Sequence, residues 1–247
     1  GRVNICKGRK VHVEIVRANP TGLLHMGNAR GAALGDSIAA ILNFAGYHVT
    51  REFYINDAGN QIENFGLSLE ARYLQLTGKD VPVPEDGYHG EDIVASCISF
   101  REKYGDSYTG VEAGARRAAL VAFALEEKLK FIKKVLSDFG VEYDTWFSEQ
   151  FLHDSGAVLE TMEILKEQGY TYEKEGAVWF KAADFGAEKD EVLIRSNGLS
   201  TYFAADIAYH RNKFLRGFEW IIDIWGADHH GHVPRMKAAV KALGYDP

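Results

Sequence analysis

The sequence predicts an α/β fold in which a parallel sheet is split by a mainly helical insertion. One observation is a strand, a loop, a helix and a second strand in succession over residues 11–55. Another is a strand, a loop and a helix over residues 220–244. Between them lies the strongest amphipathic helix pattern of the chain, over residues 115–139. Strands that alternate with helices are typical of parallel sheets, which bind ligands beyond the carboxyl ends of their strands.

Hydrophobic periodicity predicts the elements of the first α/β stretch. Apolar residues alternate over residues 11–16, which predicts a strand, and residues 49–55 are also predicted to form a strand. Residues 29–45 are predicted to form a helix that ends before Gly46. The apolar side chains that recur in this helix at helical spacing are Leu34, Ile38, Ile41, Leu42 and Ala45.

The rest of the chain combines helical, irregular and β-like patterns. Residues 60–76, 155–168 and 200–210 are predicted to be helical. Residues 79–110 are rich in proline, glycine and acidic side chains, and we interpret them as irregular. Short β-like runs alternate with glycine-containing turns over residues 170–195. The last strand, over residues 220–225, is predicted to be largely buried.

Composition and charge exclude several classes of protein. The chain is 46% hydrophobic and 26% charged, which is ordinary for a globular protein. Its longest apolar stretch, residues 118–125, is too short to cross a bilayer, and residues 1–7 contain no apolar run typical of a secretory signal. Cys6 and Cys97 are too few for a disulfide scaffold, so we expect a cytoplasmic protein with no membrane partner. The net charge of −7 argues against nucleic-acid binding by bulk electrostatics.

A polar cluster follows the first strand, where the helix begins. His25 and Asn28 flank Met26-Gly27 at this point. The unpaired N–H groups of a helix N-terminus suit a phosphate, and Gly27 lets a flat base or a ribose approach the backbone. The side chains of His25 and Asn28 can donate hydrogen bonds to phosphoryl oxygens. The alternative is that Asn28 only caps the helix and His25 is an ordinary loop residue.

A second polar cluster follows the last strand. Asp228 lies just past that strand, where a carboxylate can accept hydrogen bonds from the two hydroxyls of a ribose. His229, His230 and His232 offer a transition-metal site as an alternative. A purely structural loop is a further alternative.

Longer stretches resemble the bacterial type of arginyl-tRNA synthetase. The run from Val13 to Asp36 is similar to the signature region of that family, and His25-Met26-Gly27-Asn28 resembles the H-I-G-H motif of class I synthetases. Three more stretches resemble the family in the same order along the chain: residues 54–61, 202–210 and 225–231. The resemblance implies a class I nucleotide-binding fold of the Rossmann-like, HUP type, and it extends over most of residues 11–244.

The resemblance also implies a reaction and a nucleotide site. The expected reaction is ATP-dependent activation of L-arginine to arginyl-adenylate, followed by transfer to tRNA(Arg), with Mg²⁺ bound to ATP and no tightly bound metal. His25 and Asn28 would be catalytic because they would stabilise the α-phosphate as pyrophosphate leaves. Gly27 would lie under the adenine, and Asp228 would bind the ribose. The expected ATP-binding residues are His25, Gly27, Asn28, Gly226, Asp228 and His229.

The arginine site is likewise implied by the resemblance. Its expected members are Glu14, Asn19, Tyr202, Asp206 and His229. A guanidinium is a planar fork of N–H donors, and Glu14 and Asp206 can supply two carboxylate acceptors. Tyr202 and Asp206 are four residues apart and share one face if their segment is helical. As alternatives, Glu14 faces solvent on its strand and Tyr202 only packs against its neighbours.

The resemblance implies three parts along the chain. Residues 1–75 and 200–247 would form the two halves of the nucleotide-binding catalytic domain, and residues 76–199 would form a connective insertion. The family's K-M-S-K-S motif, N-terminal extension and anticodon-binding domain are not found in the sequence. We therefore expect a monomeric catalytic-core fragment that binds its ligands but has low activity.

One departure from the family motif stands beside two alternative functions. The second histidine of the family motif is replaced by Asn28, which can donate a hydrogen bond but cannot carry a positive charge. A non-catalytic nucleotide-binding module is one alternative function, and a related class I nucleotidyltransferase for another small substrate is a second.

Overall fold

The structure, a computed structural model, describes residues 6–247. By compactness the chain divides into two units. The first unit comprises Gly1–Arg17, His25–Asn56 and Glu142–Pro247, and the second unit comprises Ala18–Leu24 and Asp57–Val141. The assignment of residues 76–199 to a connective insertion stays a prediction.

Two β-sheets are present among the described residues. Their strands are β1 (Lys10–Ala18), β2 (His48–Ile55), β3 (Thr145–Ser148), β4 (Thr171–Lys174), β5 (Ala177–Phe180), β6 (Glu191–Ile194) and β7 (Trp220–Ile224). The larger sheet has the order β3-β2-β1-β7, and both its β1–β7 and β2–β3 pairs are parallel. The smaller sheet, β4-β5-β6, is antiparallel. The predicted α/β fold with a parallel sheet is confirmed.

The helices follow the predicted pattern in most places. They are α1 (Met26–Phe44), α2 (Asn60–Leu76), α3 (Glu91–Tyr104), α4 (Ala113–Asp138), α5 (Glu149–Asp154), α6 (Ala157–Glu167), α7 (Tyr202–Leu215) and α8 (His232–Ala242). The prediction that residues 79–110 are irregular is wrong, because α3 lies within them. Its Ile93, Cys97 and Phe100 are buried, which shows that an apolar stripe exists there despite the surrounding turn residues.

The buried face of α1 differs from the predicted one. Ala32, Gly35 and Ala39 are buried, whereas Leu34 and Ile41 are 56% and 67% exposed. Close approach to β1 explains the difference, because a Cβ built at Gly35 would lie 2.8 Å from the side chain of Ile15. Small residues therefore decide which face of α1 meets the sheet.

The strand β7 is also less buried than predicted. Trp220 is 47% exposed, and the other four residues are partly buried. Position in the sheet explains this result, because β7 is an edge strand of the larger sheet. The apolar run predicts a strand correctly but does not reveal which strands flank it.

Each unit has its own hydrophobic core. In the first unit, Tyr54 of β2, Phe147 of β3 and Tyr209 of α7 pack together, with the Tyr54 and Tyr209 ring centroids 4.4 Å apart. In the second unit, α2, α3 and α4 bury Phe65, Phe100 and other apolar side chains between them. Each core thus forms around helices or strands of one unit.

Within the described residues, no helix is long and apolar enough to cross a membrane. Cys6 and Cys97 are both free thiols, and burial raises the pKa of Cys97 to about 12. Residues 1–5, which carry most of the stretch searched for a secretory signal, lie outside the described residues.

A buried ionic cluster joins three elements of the first unit. Glu52 of β2 is fully buried and accepts a bidentate pair of hydrogen bonds from Arg216, at 2.6 and 2.9 Å. His12 Nε2 and the Tyr209 hydroxyl also donate to Glu52, at 2.9 and 2.5 Å. Burial alone raises the pKa of Glu52, but His12 and Arg216 outweigh it and lower this pKa to about 2.

The cluster predicts a stability change in acid. Because the pKa of Glu52 is depressed, its contribution is fully present above the unfolded value of about 4.5 and is lost as pH falls towards 2. The full contribution is roughly 3 kcal/mol. Urea unfolding should find Glu52→Gln less stable than the parent at pH 7, and the difference should shrink between pH 4.5 and 2. The exposed control Glu163→Gln should match the parent. A pH-independent difference for Glu52→Gln would refute the assigned pKa.

Candidate functional site

The carboxyl ends of β1 and β7 lie side by side because the two strands are parallel. Val16, near the end of β1, is buried and has a positive φ of 66°. This backbone conformation is strained for a β-branched residue and costs about 1–3 kcal/mol. The strain is concentrated next to Arg17, at the edge of the sheet where ligands bind in parallel α/β folds.

The start of α1 is closed by a reciprocal cap. His25 is the N-cap residue, and its Nδ1 accepts from the Gly27 N–H at 3.1 Å. Asn28 Oδ1 in turn accepts from the His25 N–H at 2.9 Å. Because His25 Nδ1 is an acceptor, the proton of the neutral ring is on Nε2, which stays able to donate. The Asn28 amide group also keeps its NH₂ donors, so capping and phosphate binding are compatible.

A cavity of about 800 Å³, here called the first cavity, opens at this edge of the sheet. Arg17 lines it from β1, and Trp225, Gly226 and His229 line it from the segment after β7. The start of α1 contributes His25, Gly27, Asn28 and Arg30. The described lining residues include no carboxylate, and their polar groups are cations and neutral donors. Such a wall favours a negatively charged ligand.

A second cavity, of about 620 Å³, differs from the first because carboxylates contribute to its wall. Its charged lining combines four carboxylates with three cations: Glu149, Glu188, Glu191 and Asp206, and Arg17, Lys189 and Arg235. Tyr202 lines it from the first turn of α7 and is 53% exposed, so it is not simply a packed core residue. Tyr202 and Asp206 lie on one face of α7, as predicted from their spacing. Arg17 and His229 line both cavities.

Glu14 and Asp206 both accept from one guanidinium in the structure. Arg17 Nε donates to Glu14 Oε1 at 3.0 Å, and Arg17 Nη1 donates to Asp206 Oδ1. The guanidinium also lies over the Tyr54 ring, 4.2 Å from its centroid. Glu14 is 1% exposed, which excludes the alternative that it faces solvent. These two carboxylates therefore have a guanidinium-binding geometry within the protein itself.

A buried lysine fixes the position of Glu14. Lys213 of α7 is completely buried and donates to Glu14 Oε2 of β1 and to Asp223 Oδ1 of β7, both at 2.6 Å. Burial lowers the pKa of Lys213, but Asp223 and Glu14 outweigh it, and the net shift is upward. Lys213 thus stays charged and connects the neighbouring strands β1 and β7 to α7.

Asp206 has a second basic neighbour. His232 Nε2 lies 3.0 Å from Asp206 Oδ2, and Arg235 Nε donates to His232 Nδ1 at 2.9 Å. Since Nδ1 accepts, the ring proton faces Asp206. Burial alone raises the pKa of Asp206, but Arg17 and His232 hold it well below the ordinary value. Asp206 is therefore an ionised acceptor at neutral pH.

The predicted site residues lie in different parts of the structure, and the side chain of one of them is not described. His25, Gly27, Asn28, Gly226 and His229 all line the first cavity. The side chain of Asp228 lies outside the described residues. Asn19 belongs to the second unit, where its carbonyl accepts from the Gly22 N–H at 3.4 Å. The roles assigned to all these residues stay predictions.

Sequence reasoning missed three charged side chains of the site: Arg17, Glu149 and Lys213. Lys213 follows Asp206 by seven residues, so helical spacing alone places the two on one face of α7. Arg17 lies within the signature region, and its charge at the end of a predicted strand was a usable signal. Glu149 is a buried carboxylate of α5 with no local signal, because only the fold brings it to the second cavity.

The metal alternative finds no support in the described part of the chain. No group of three or more histidine, cysteine, aspartate or glutamate side chains is placed there to hold a metal ion. Arg235 donates to His232 Nδ1, and His232 Nε2 lies 3.0 Å from Asp206 Oδ2.

The fold and the two cavities define a class I nucleotide-binding domain, and comparison with known proteins agrees. Residues 2–85 match the family model described as "tRNA synthetases class I (R), catalytic domain". The chain is 68% identical over its full length to arginine–tRNA ligase of Moorella thermoacetica, of which it spans 44%. The chain therefore belongs to the arginyl-tRNA synthetase family and spans less than half the length of this relative.

Solved structures are similar over nearly the whole chain. One from Campylobacter jejuni, provisionally assigned as an arginyl-tRNA synthetase, has 41% identity and a TM-score of 0.87, covering 99% of this chain and 54% of that one. Thermus thermophilus arginyl-tRNA synthetase has 22% identity and a TM-score of 0.63, covering 96% and 47%. The second comparison supports the fold alone.

The buried lysine gives a direct test of the site's framework. Lys213→Met leaves Glu14 and Asp223 without their shared cation. This change should lower the free energy of unfolding by about 3–5 kcal/mol. Urea unfolding at pH 7 measures this loss. Lys166→Met, which changes a largely exposed lysine, should stay within about 0.5 kcal/mol of the parent. A Lys213→Met protein as stable as the parent would mean that Lys213 does not hold these carboxylates.

Proposed function

We propose that this chain forms the ATP- and arginine-binding part of an arginine–tRNA ligase. The reaction is activation of L-arginine to arginyl-adenylate and transfer of the arginyl group to tRNA(Arg). The observation that carries the proposal is that two cavities share Arg17 and His229 in their walls, and that only the second has carboxylates among its described lining residues. This arrangement suits a reaction that joins an anionic nucleotide to a cationic amino acid.

The first cavity suits ATP. The N-terminus of α1 provides the positive end of the helix dipole, and His25 and Asn28 keep side-chain donors for phosphoryl oxygens. As the arginine carboxylate attacks the α-phosphorus and pyrophosphate leaves, negative charge develops at the α-phosphate. Donors at this position stabilise that charge. Gly226 and Asp228 are proposed to hold the nucleoside, and Mg²⁺ enters with ATP as part of the substrate.

The second cavity suits L-arginine. Asp206 is ionised and lies in the same wall as Tyr202 and Glu149, which provides acceptors and a ring for a guanidinium. Glu14, Asn19 and His229 complete the proposed arginine site. A site with buried charged acceptors rejects an uncharged amino acid because its acceptors would be left unpaired.

A pair of substitutions tests the two cavities separately. Isothermal titration should find ATP binding about tenfold weaker in His25→Ala, with little change for L-arginine. Tyr202→Ala should weaken L-arginine about fivefold or more and leave ATP within twofold of the parent. Leu199→Ala, an exposed residue outside both cavities, serves as the control.

The same titration separates the proposal from its alternatives. Absence of binding by ATP and by L-arginine in folded protein contradicts it. Preference for lysine, cysteine or glutamine over arginine would favour a nucleotidyltransferase for another small substrate. If either variant lost affinity equally for ATP and for L-arginine, the assignment of one ligand to each cavity would be contradicted. The cytoplasmic location and the monomeric state stay predictions.

A further inference from the structure

Arg17 is a guanidinium of the protein's own chain bound to the carboxylates that the proposed function assigns to substrate arginine. Its Nε and Nη1 donate to Glu14 and Asp206, which together offer it a fork of acceptors. The Tyr54 ring covers its face at 4.2 Å. These are the contacts by which a protein binds a free guanidinium.

The contacts of Arg17 are incomplete, unlike those of Lys213. The third nitrogen, Nη2, is buried and has no hydrogen-bond partner among the described residues. The Arg17 side chain is 16% exposed and lines both cavities, whereas Lys213 is fully buried. Val16, which precedes it, has the strained φ of 66°. Arg17 can thus be reached from both cavities, and one of its nitrogens has no hydrogen-bond partner among the described residues.

When Arg17 is released, each of the two carboxylates still has a neighbouring basic group. Glu14 keeps the ammonium of Lys213 at 2.6 Å. Asp206 keeps His232 Nε2 at 3.0 Å. The carboxylates are therefore held in place by other groups, and the position of Arg17 can be taken by another guanidinium at little structural cost.

We propose that Arg17 is a displaceable internal occupant of the guanidinium site, which substrate arginine must replace. The inference rests on the proposed function of the second cavity. While Arg17 is bound, the site is closed to substrate, and the apparent affinity for L-arginine falls by the fraction of molecules in which the site is open. Arg17 then sets the concentration of L-arginine that is needed to occupy the site.

Substitution of Arg17 gives the first test. Isothermal titration of L-arginine should find at least tenfold tighter binding to Arg17→Met than to the parent, with ATP affinity within twofold. Arg51→Ala is a matched control, because Arg51 is also a partly buried arginine paired with one carboxylate, Asp36, and lines neither cavity. Unchanged or weaker arginine binding in Arg17→Met overturns the proposal.

A double substitution shows whether Arg17 and L-arginine compete for Asp206 or whether removal of Arg17 only changes the charge of the site. In the parent, Asp206→Asn weakens the Arg17 contact and the substrate contact together, so its effect on arginine binding is partly cancelled. In the Arg17→Met background the same change should cost at least threefold more in affinity. Equal effects in the two backgrounds would show that Arg17 and substrate do not share Asp206.

A small guanidinium compound tests the inference about Arg17 independently of the proposed function. Methylguanidine at millimolar concentration should raise the Tm of Arg17→Ala by refilling the vacated position, and should leave the parent's Tm unchanged. Tm gain in Arg17→Ala without L-arginine binding to any variant would support the guanidinium site and contradict the arginine function. Absence of a gain in Arg17→Ala overturns the inference itself. If Arg17→Ala does not fold, Arg17→Ser replaces it.

Discussion

The ion pairs of Lys213 are the contacts on which the rest of the site depends. This fully buried ammonium binds Glu14 of β1 and Asp223 of β7, so it holds these two parallel strands against α7. The strands then bring the loop before α1 and the loop after β7 to the same edge of the sheet. The helix, in turn, places Tyr202 and Asp206 in the second cavity. Because Lys213 is the shared cation of two carboxylates, its removal leaves both of them without that partner.

The different linings of the two cavities beside Arg17 support the proposal that one small region binds two different substrates. The first cavity has no carboxylate among its described lining residues and is closed at one end by the cap of α1. The second cavity is rich in carboxylates. In the proposed reaction, the nucleotide would bind in the first cavity and the amino acid in the second.

Local sequence patterns predicted the elements well and the tertiary contacts less well. Helix α2 was predicted over its full extent, because its apolar period and the glycines on each side are local signals. The buried face of α1 was wrong, since Gly35 meets Ile15 only after the sheet has formed. Glu14, Tyr202 and Asp206 were named from the family resemblance, and Asp206 and Tyr202 do share a cavity wall. Arg17 and Lys213 were missed although their positions carried local signals, whereas only packing brings Glu149 to the second cavity.

The most direct test of the account is a crystal structure with a non-hydrolysable arginyl-adenylate analogue. We expect the adenosine in the first cavity beside Gly27 and Gly226, with the linking group near His25 and Asn28. The analogue's guanidinium should lie on Asp206 in the second cavity, and Arg17 should have left that carboxylate. An analogue bound outside these cavities would contradict the proposed function. An analogue bound within them while Arg17 still pairs with Asp206 would contradict the role of Arg17.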